Sequence, residues 1–247
     1  MVGDKPAGAG TAYTPAQPGK WRLGCALWLL GMPGVVAVVW ALLPTLKVNE
    51  ALLPLPLEAV LLLSGLQTAV LLALAVALGV WLAPRVGLRA PAVSSWLAGL
   101  PAGPALRAQL MPGLWGGVAG AAWLWLLSRL APAALQPSDP ANAMPLAVKL
   151  LYGGITEELL MRWGVMSLLL WLGWRLLQRG QGQPGKGLVA LAVLLSALLF
   201  ALGHLPAAQA MAGVLTMPVV AFVLVGNTVF GLVAGGLFAR HGLEAAI

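Results

Sequence analysis

Residues 157–162, Glu-Glu-Leu-Leu-Met-Arg, place three ionisable groups in the middle of an apolar stretch that runs from Met144 to Leu177. A charge at the centre of a membrane helix costs roughly 2.5–3.5 kcal/mol. The chain has only seven acidic residues, and two of them stand side by side here. A second apolar stretch ends at His204, one of only two histidines. Ionisable residues at membrane depth are candidate functional residues, so the sequence offers two such sites.

The composition is that of an integral membrane protein. Of 247 residues, 60% are hydrophobic and 9% are charged, whereas a soluble domain has about 25% charged residues. The net charge of +7 comes from scattered basic residues without aromatic clusters, so membrane lipid is an expected partner and nucleic acid is not. The single cysteine, Cys25, rules out an intrachain disulfide and a cysteine-rich metal site.

Six apolar blocks are each long enough to cross a hydrocarbon core of ~30 Å. Because the sequence shows no alternation typical of a barrel, these blocks must be helices. We predict an all-α, polytopic membrane helix bundle of about six to eight helices. A disordered tail at 1–21 precedes the N-terminal transmembrane helices at 22–135, and a second helical unit, which contains both candidate sites, follows at 144–247. The blocks lie at 22–43, 57–83, 112–135, 144–178, 187–204 and 206–239.

Two blocks are longer than one perpendicular span requires. The block at 144–178 is predicted either to break near Gly153-Gly154 or Gly164, or to begin with an interfacial helix. The block at 206–239 is predicted to break at Pro218, because proline interrupts a helix.

The charges of the connections predict the topology. The second and fourth connections contain basic residues without acidic ones, and the N-terminal tail and the sixth connection are also basic. By the positive-inside rule these four segments are cytoplasmic. The expected location is the inner membrane of a bacterial cell, with the N-terminus in the cytoplasm.

The two candidate sites are predicted to lie at the same depth. Glu157 comes 18 residues before Arg175, and His204 comes 18 residues after Lys186. Arg175 and Lys186 bracket one connection, so on antiparallel helices both candidates lie ~27 Å from it. Glu157 and His204 can therefore face each other.

The spacing within the first site suggests a division of roles. Glu158 and Arg162 are four residues apart, in the favourable order for an ion pair on one helical face. Glu157 points about 100° away and lacks that partner, which leaves it as a general base or acid. With an imidazole opposite, the two side chains can share one water, or bind a metal ion that activates it.

Structural roles compete with each of these assignments. Charged pairs in membranes often only hold helices together, and a histidine near a helix end is often a cap. Phe200 is most simply a packing residue. Asn227 is equally suited to an interhelical hydrogen bond and to a role as a functional-site residue. Thr156 is a candidate helix cap or a hydroxyl on the substrate side.

At these residues the sequence resembles the CPBP intramembrane proteases, the CAAX protease/bacteriocin-processing or Abi family. The first motif of that family, Glu-Glu-x-x-x-Arg, matches Glu157, Glu158 and Arg162. Its second motif, Phe-x-x-x-His, matches Phe200 and His204. The resemblance covers about 144–247, and the first three helices carry no motif.

The resemblance implies a membrane endopeptidase in which Glu157 activates a water with His204, while Glu158 and Arg162 support Glu157. Zinc and a metal-independent glutamate mechanism are equally open. Glu157 and His204 alone fall short of the three protein ligands of a catalytic zinc site.

The sequence departs from the family at its third motif. That motif is a histidine followed four residues later by Asn or Asp on the last helix, and the chain stops at Ile247. His241 lies too early to be this histidine. We therefore expect a truncated last helix and an incomplete site, or an inactive member of the family.

Three functional hypotheses follow. The first is an intramembrane endopeptidase acting on a peptide or a membrane-protein substrate, with the oligomeric state left open. The alternative is a catalytically inactive membrane scaffold or bacteriocin self-immunity protein that uses the charged motif for helix packing. A transporter is weaker, because the sequence has no inverted halves.

Overall fold

The protein is all-helical in the part that the structure, a computed structural model, describes: residues 18–136 and 144–247. The predicted tail lies largely outside these ranges, although Lys20 and Trp21 already belong to the first helix. Short 3₁₀ turns occur at Glu50–Leu52, Ala83–Val86 and Ala133–Leu135. The helices are α1 (Lys20–Val48), α2 (Leu57–Leu82), α3 (Pro91–Leu97), α4 (Gly103–Ser128), α5 (146–177), α6 (Lys186–Gly203), α7 (Leu205–Ala212), α8 (Met217–Arg240) and α9 (Leu243–Ala246).

Five helical stretches of the described residues are long and apolar enough to cross a membrane. Large apolar side chains cover their outer surface, which requires a hydrocarbon solvent. The prediction of an integral membrane helix bundle is thus confirmed. The stretches are Lys20–Val48, Leu57–Val86, Gly103–Ser128, Lys186–Ala212 and Met217–Arg240.

Helix α5 lies among these stretches and does not break at the glycines, so the first of the two predicted alternatives is wrong, while an interfacial start stays a prediction. It continues from 146 to 177 through both glycine positions. Two segments, Lys149–Thr156 and Leu159–Met166, instead adopt π-helical hydrogen bonding on either side of Glu157 and Glu158. The wider π turn accommodates the irregular glycine-containing stretches without ending the helix, and such turns occur frequently at functional sites.

The other long block divides close to the predicted position. Helix α7 ends at Ala212 and α8 begins at Met217, so Pro218 lies in the first turn of α8, where proline is tolerated. The block predicted at 112–135 is wrong at both ends: α4 begins at Gly103 and ends at Ser128. Its first turns contain Pro104 and Arg107, which lower the local hydropathy without preventing a helix.

Helices α1 and α2 hold α5 through glycines that allow backbones to approach closely. A Cβ on Gly34 of α1 would overlap Thr156 Oγ1 and the Leu151 carbonyl. A Cβ on Gly79 of α2 would overlap the Trp163 ring. Trp163 Nε1 donates a hydrogen bond to a carbonyl of α2 at 3.3 Å. The first two helices, which carry no motif, therefore position the helix that does.

Replacing Gly34 with alanine is expected to destabilise the protein by about 1–3 kcal/mol, because the added methyl overpacks a rigid backbone contact. Gly117→Ala is the matched control, since a Cβ there meets no atom within 4 Å and alanine favours the helix by up to about 1 kcal/mol. Thermal unfolding in detergent micelles measures both changes. Equal shifts in Tm for the two variants would contradict the close approach of α1 to α5.

The basic connections share one end of the bundle. Three close approaches join them: Lys20 Nζ lies over the Trp81 ring, a Cβ on Gly87 would lie 3.4 Å from Gln183 Oε1, and the Leu243 amide donates to the Arg89 carbonyl. These contacts place the start of α1, the α2–α3 and α5–α6 connections and the start of α9 together. The predicted grouping is thus confirmed, whereas the side of the membrane that this end faces stays a prediction.

Candidate active site

Glu157 and His204 face each other, as their matched depths predicted. Glu157 Oε1 lies 4.0 Å from His204 Nε2. Their side chains retain 20% and 33% of their exposure, respectively, so neither is sealed inside the protein. His204 lies at the junction of α6 and α7, where the helical backbone ends and turns. The 4.0 Å separation is too long for a direct hydrogen bond.

The backbone selects the tautomer of His204. Its Nδ1 lies 2.8 Å from the carbonyl oxygen of Phe200, one turn earlier. A carbonyl oxygen only accepts, so Nδ1 carries the proton and donates it. In the neutral imidazole, Nε2 then presents a lone pair toward Glu157. A carboxylate oxygen and an imidazole lone pair thus converge on one small gap.

Glu158 and Arg162 form the predicted ion pair and are almost completely buried. Arg162 Nε lies 3.1 Å from Glu158 Oε2, with side-chain exposures of 1% and 2%. The contact is an ion pair by distance, although its angles do not make a hydrogen bond. Arg162 Nη2 donates to the Gly231 carbonyl of α8 at 3.4 Å. The pair therefore joins α5 to α8 and does not reach the solvent-accessible gap.

Phe200 connects the buried pair to the histidine. Its ring centroid lies 4.8 Å from the Arg162 guanidinium carbon and 4.5 Å from the His204 ring, in an edge-on arrangement with the imidazole. A cation over an aromatic face is attracted by the ring quadrupole. Phe200 is thus a packing residue, as the sequence suggested, and its ring packs between Arg162 of the first motif and His204 of the second.

Asn227 lies on α8, the helix that packs against α5 at Gly231. Its side-chain amide donates to the Val223 carbonyl at 2.9 Å, within α8. A supporting role for Asn227 stays a prediction.

Two further residues shape the site, and the sequence assigned neither role. Gly153 lies one turn before Glu157, and a Cβ there would sit 3.9 Å from Glu157 Oε2, so glycine leaves the carboxylate uncovered. Thr156 is neither a cap nor a substrate-side hydroxyl: it is fully buried and donates to the Gly31 carbonyl of α1 at 2.7 Å. Only the neighbouring helix reveals this contact, because Gly31 is 125 residues away.

The donor set of the site falls short of a zinc centre. Within residues 18–136 and 144–247, no group of three or more His, Cys, Asp or Glu side chains converges. A catalytic zinc needs three protein ligands, and Glu157 and His204 supply two. The described residues thus do not by themselves supply the ligands of a catalytic zinc centre.

The site lies toward the end of the bundle opposite the basic connections. Helix α6 begins at Lys186, beside the basic end, and ends just before His204. Glu157 is 18 residues from Arg175, which lies in the last turn of α5 at the basic end. Glu157 and His204 are therefore separated from the basic connections by most of a membrane thickness.

One comparison with known proteins found a match, and it covers the helices that carry these residues. Residues 139–247 match the family model described as type II CAAX prenyl endopeptidase Rce1-like. No curated protein and no solved structure matches the chain. The matched segment contains both charged motifs and the helices that bring them together. Residues 139–247 are therefore a domain of the CPBP family, a family of intramembrane proteases.

Proposed function

We propose that the protein is an intramembrane endopeptidase in which Glu157 and His204 activate a water to hydrolyse a peptide bond of a membrane-associated substrate. The 4.0 Å gap between Glu157 Oε1 and His204 Nε2 supports this most strongly. A water about 2.8 Å from each atom bridges them with ordinary hydrogen-bond lengths. Neither side chain is sealed inside the protein, as hydrolysis requires.

In the proposed reaction, the water donates one hydrogen bond to Glu157 and one to the Nε2 lone pair of His204. Its oxygen then attacks the carbonyl carbon of the substrate while its proton passes to Glu157, the general base. The C–N bond breaks, and Glu157 returns the proton to the leaving amine. The products are a carboxylic acid and an amine, and the two side chains end as they began.

The remaining motif residues position these two groups. The Phe200 carbonyl holds the His204 tautomer through the 2.8 Å contact with Nδ1. The Phe200 ring packs between His204 and the Arg162 guanidinium, which the buried Glu158 carboxylate neutralises. A wrong tautomer would point an N–H at Glu157 and leave the water without its second acceptor.

The inactive-scaffold hypothesis explains only part of this arrangement. A buried ion pair between α5 and α8 suits helix packing without any chemistry. Packing alone gives no reason for a second, partly exposed carboxylate to face an oriented imidazole. We therefore favour the enzyme.

A peptide-cleavage assay with the full-length protein in detergent micelles tests the proposal. The substrate is a mixture of apolar peptides and one farnesylated peptide ending in a CAAX sequence, and mass spectrometry detects new peptide termini. Hydrolysis that persists with a chelator supports water activation by the two side chains alone. If the chelator abolishes hydrolysis and added zinc restores it, a zinc-dependent mechanism replaces the proposed one. If the folded protein produces no new termini, the protein is not an endopeptidase for these substrates.

The position of the site suggests where the substrate comes from. If the basic connections face the cytoplasm, the gap lies toward the opposite membrane surface. We propose that the substrate is a segment of a peptide or membrane protein on the non-cytoplasmic side. A prenylated CAAX protein, as in the name of the matched family, would instead approach from the cytoplasm.

Cysteine labelling in intact cells is expected to show this orientation. In a Cys25→Ser background, Gln209→Cys in α7 should react with a membrane-impermeant maleimide from outside, because α7 follows His204 at the site end. Gln181→Cys, in the connection between α5 and α6, should react only after permeabilisation. The reverse pattern would place the site toward the cytoplasm and favour the prenylated substrate.

A further inference from the structure

A groove of about 610 Å³ runs between α1 and α2 and opens at the basic end, and Glu157 and His204 are not among its lining residues. One wall is a single face of α1, formed by residues 21, 24, 25 and 28. The other wall is a single face of α2, formed by residues 73, 76, 77, 80 and 81. The groove exists because small residues lie between large ones. The small residues are Gly24, Cys25, Ala73 and Ala77, and the large ones are Trp21, Trp28 and Trp81.

The groove has a closed inner end and an open outer end. Trp28 Nε1 donates to the Ala69 carbonyl at 3.0 Å, which ties α1 to α2 at the inner end. Trp21 and Trp81 lie at the outer end and are 84% and 54% exposed. Tryptophan is typical of the membrane–water interface. The groove therefore extends from the interface into the hydrocarbon region.

Two basic side chains, Lys20 in the groove lining and Arg85 beside it, lie near the Trp81 ring at the outer end. Lys20 Nζ lies 3.8 Å from the centroid of the Trp81 ring, and the Arg85 guanidinium carbon lies 5.9 Å from it. Arg85 also donates to the Trp81 carbonyl. Among the described residues that line the groove, none is acidic. The entrance is thus positively charged while the interior is apolar.

We propose that this groove binds one anionic phospholipid, with an acyl chain along the α1–α2 groove and the phosphate headgroup between Lys20 and Arg85. The apolar walls accept any acyl chain, so the two cations provide the preference for an anionic headgroup over a zwitterionic one. The site does not depend on the proposed protease activity, because it involves none of the residues of the Glu157–His204 gap.

Cys25 reports occupancy of the groove. It is the only cysteine of the chain, it is exposed, and it lies in the α1 wall. In detergent micelles, dioleoyl-phosphatidylglycerol is expected to slow alkylation of Cys25 by a maleimide in a saturable manner. Dioleoyl-phosphatidylcholine, with identical acyl chains, is expected to protect Cys25 far less at the same concentration.

Removing both cations should abolish the headgroup preference. Each basic residue near an anionic lipid strengthens binding about fivefold, so Lys20→Ala/Arg85→Ala should need about 30-fold more phosphatidylglycerol for the same protection. Arg107→Ala is the matched control, since Arg107 is exposed near the start of α4 and does not line the groove. Native mass spectrometry of Ala77→Phe, which fills the groove but keeps both cations, should show loss of the bound lipid.

Three results would overturn the proposal. Equal protection by the two lipids would make the groove a non-selective membrane surface. Unchanged phosphatidylglycerol protection in the Lys20→Ala/Arg85→Ala variant would remove the headgroup site. An equal loss in Arg107→Ala would assign the effect to the overall positive charge of that end of the protein.

Discussion

Glu157→Gln is expected to lower the rate of peptide hydrolysis by about 10²–10⁴-fold, the range that a positioned general base contributes. Glutamine keeps the size and hydrogen-bonding capacity of the side chain but cannot accept the proton of the water. Since the Glu157 side chain is 20% exposed and does not belong to the buried ion pair, the fold should persist. The cleavage assay and thermal unfolding in the same micelles measure the two quantities.

Glu50→Gln is the control for this experiment, because Glu50 is exposed in the connection after α1. It should leave the hydrolysis rate unchanged. Full activity in Glu157→Gln would eliminate Glu157 as the base. An equal loss of activity and of Tm would instead assign Glu157 a structural role, as the scaffold hypothesis requires.

Arg162→Met is expected to destabilise the protein by about 3–5 kcal/mol, because it leaves the Glu158 carboxylate buried without a counter-charge. Both side chains are within 2% of complete burial, so water cannot replace the lost partner. The double variant Glu158→Met/Arg162→Met should recover most of this loss, since apolar side chains of similar volume replace a buried pair at little cost. Thermal unfolding of the single and double variants measures the recovery.

Arg129→Met is the matched control, because Arg129 is exposed and contacts the Trp125 ring at 4.7 Å. It should cost at most about 1 kcal/mol, as expected for an exposed cation–π contact. If the double variant were as unstable as Arg162→Met alone, the Arg162 contact with Phe200 would be the larger contribution. If the double variant were stable but inactive, the pair would be needed to position His204 through Phe200.

Several features of the site followed from the sequence because they depend on distances along a helix. Equal separations of 18 residues from one connection predicted that Glu157 and His204 meet, and the 4.0 Å contact confirms it. The four-residue spacing predicted the Glu158–Arg162 pair, and the 3.1 Å contact confirms that as well. The helical rise is nearly constant, so such predictions survive small irregularities.

Predictions that depended on glycine alone were less successful. Gly153-Gly154 and Gly164 suggested a break in α5, yet the helix passes through them with π-helical turns. Glycine only permits a break, and neighbouring helices decide whether one occurs. Here α1 and α2 pack closely against this stretch through Gly34 and Gly79.

By itself, the sequence determined that this protein is a helical membrane bundle, and that its charged motifs lie at one depth and resemble those of the CPBP proteases. Hydropathy and the helical rise are local properties, so they can be read residue by residue. Only the tertiary structure decided the placement of the Phe200 ring, the His204 tautomer and the lipid-facing groove. These features depend on how each helix is rotated about its axis against its neighbours, which close packing of side chains from distant segments determines.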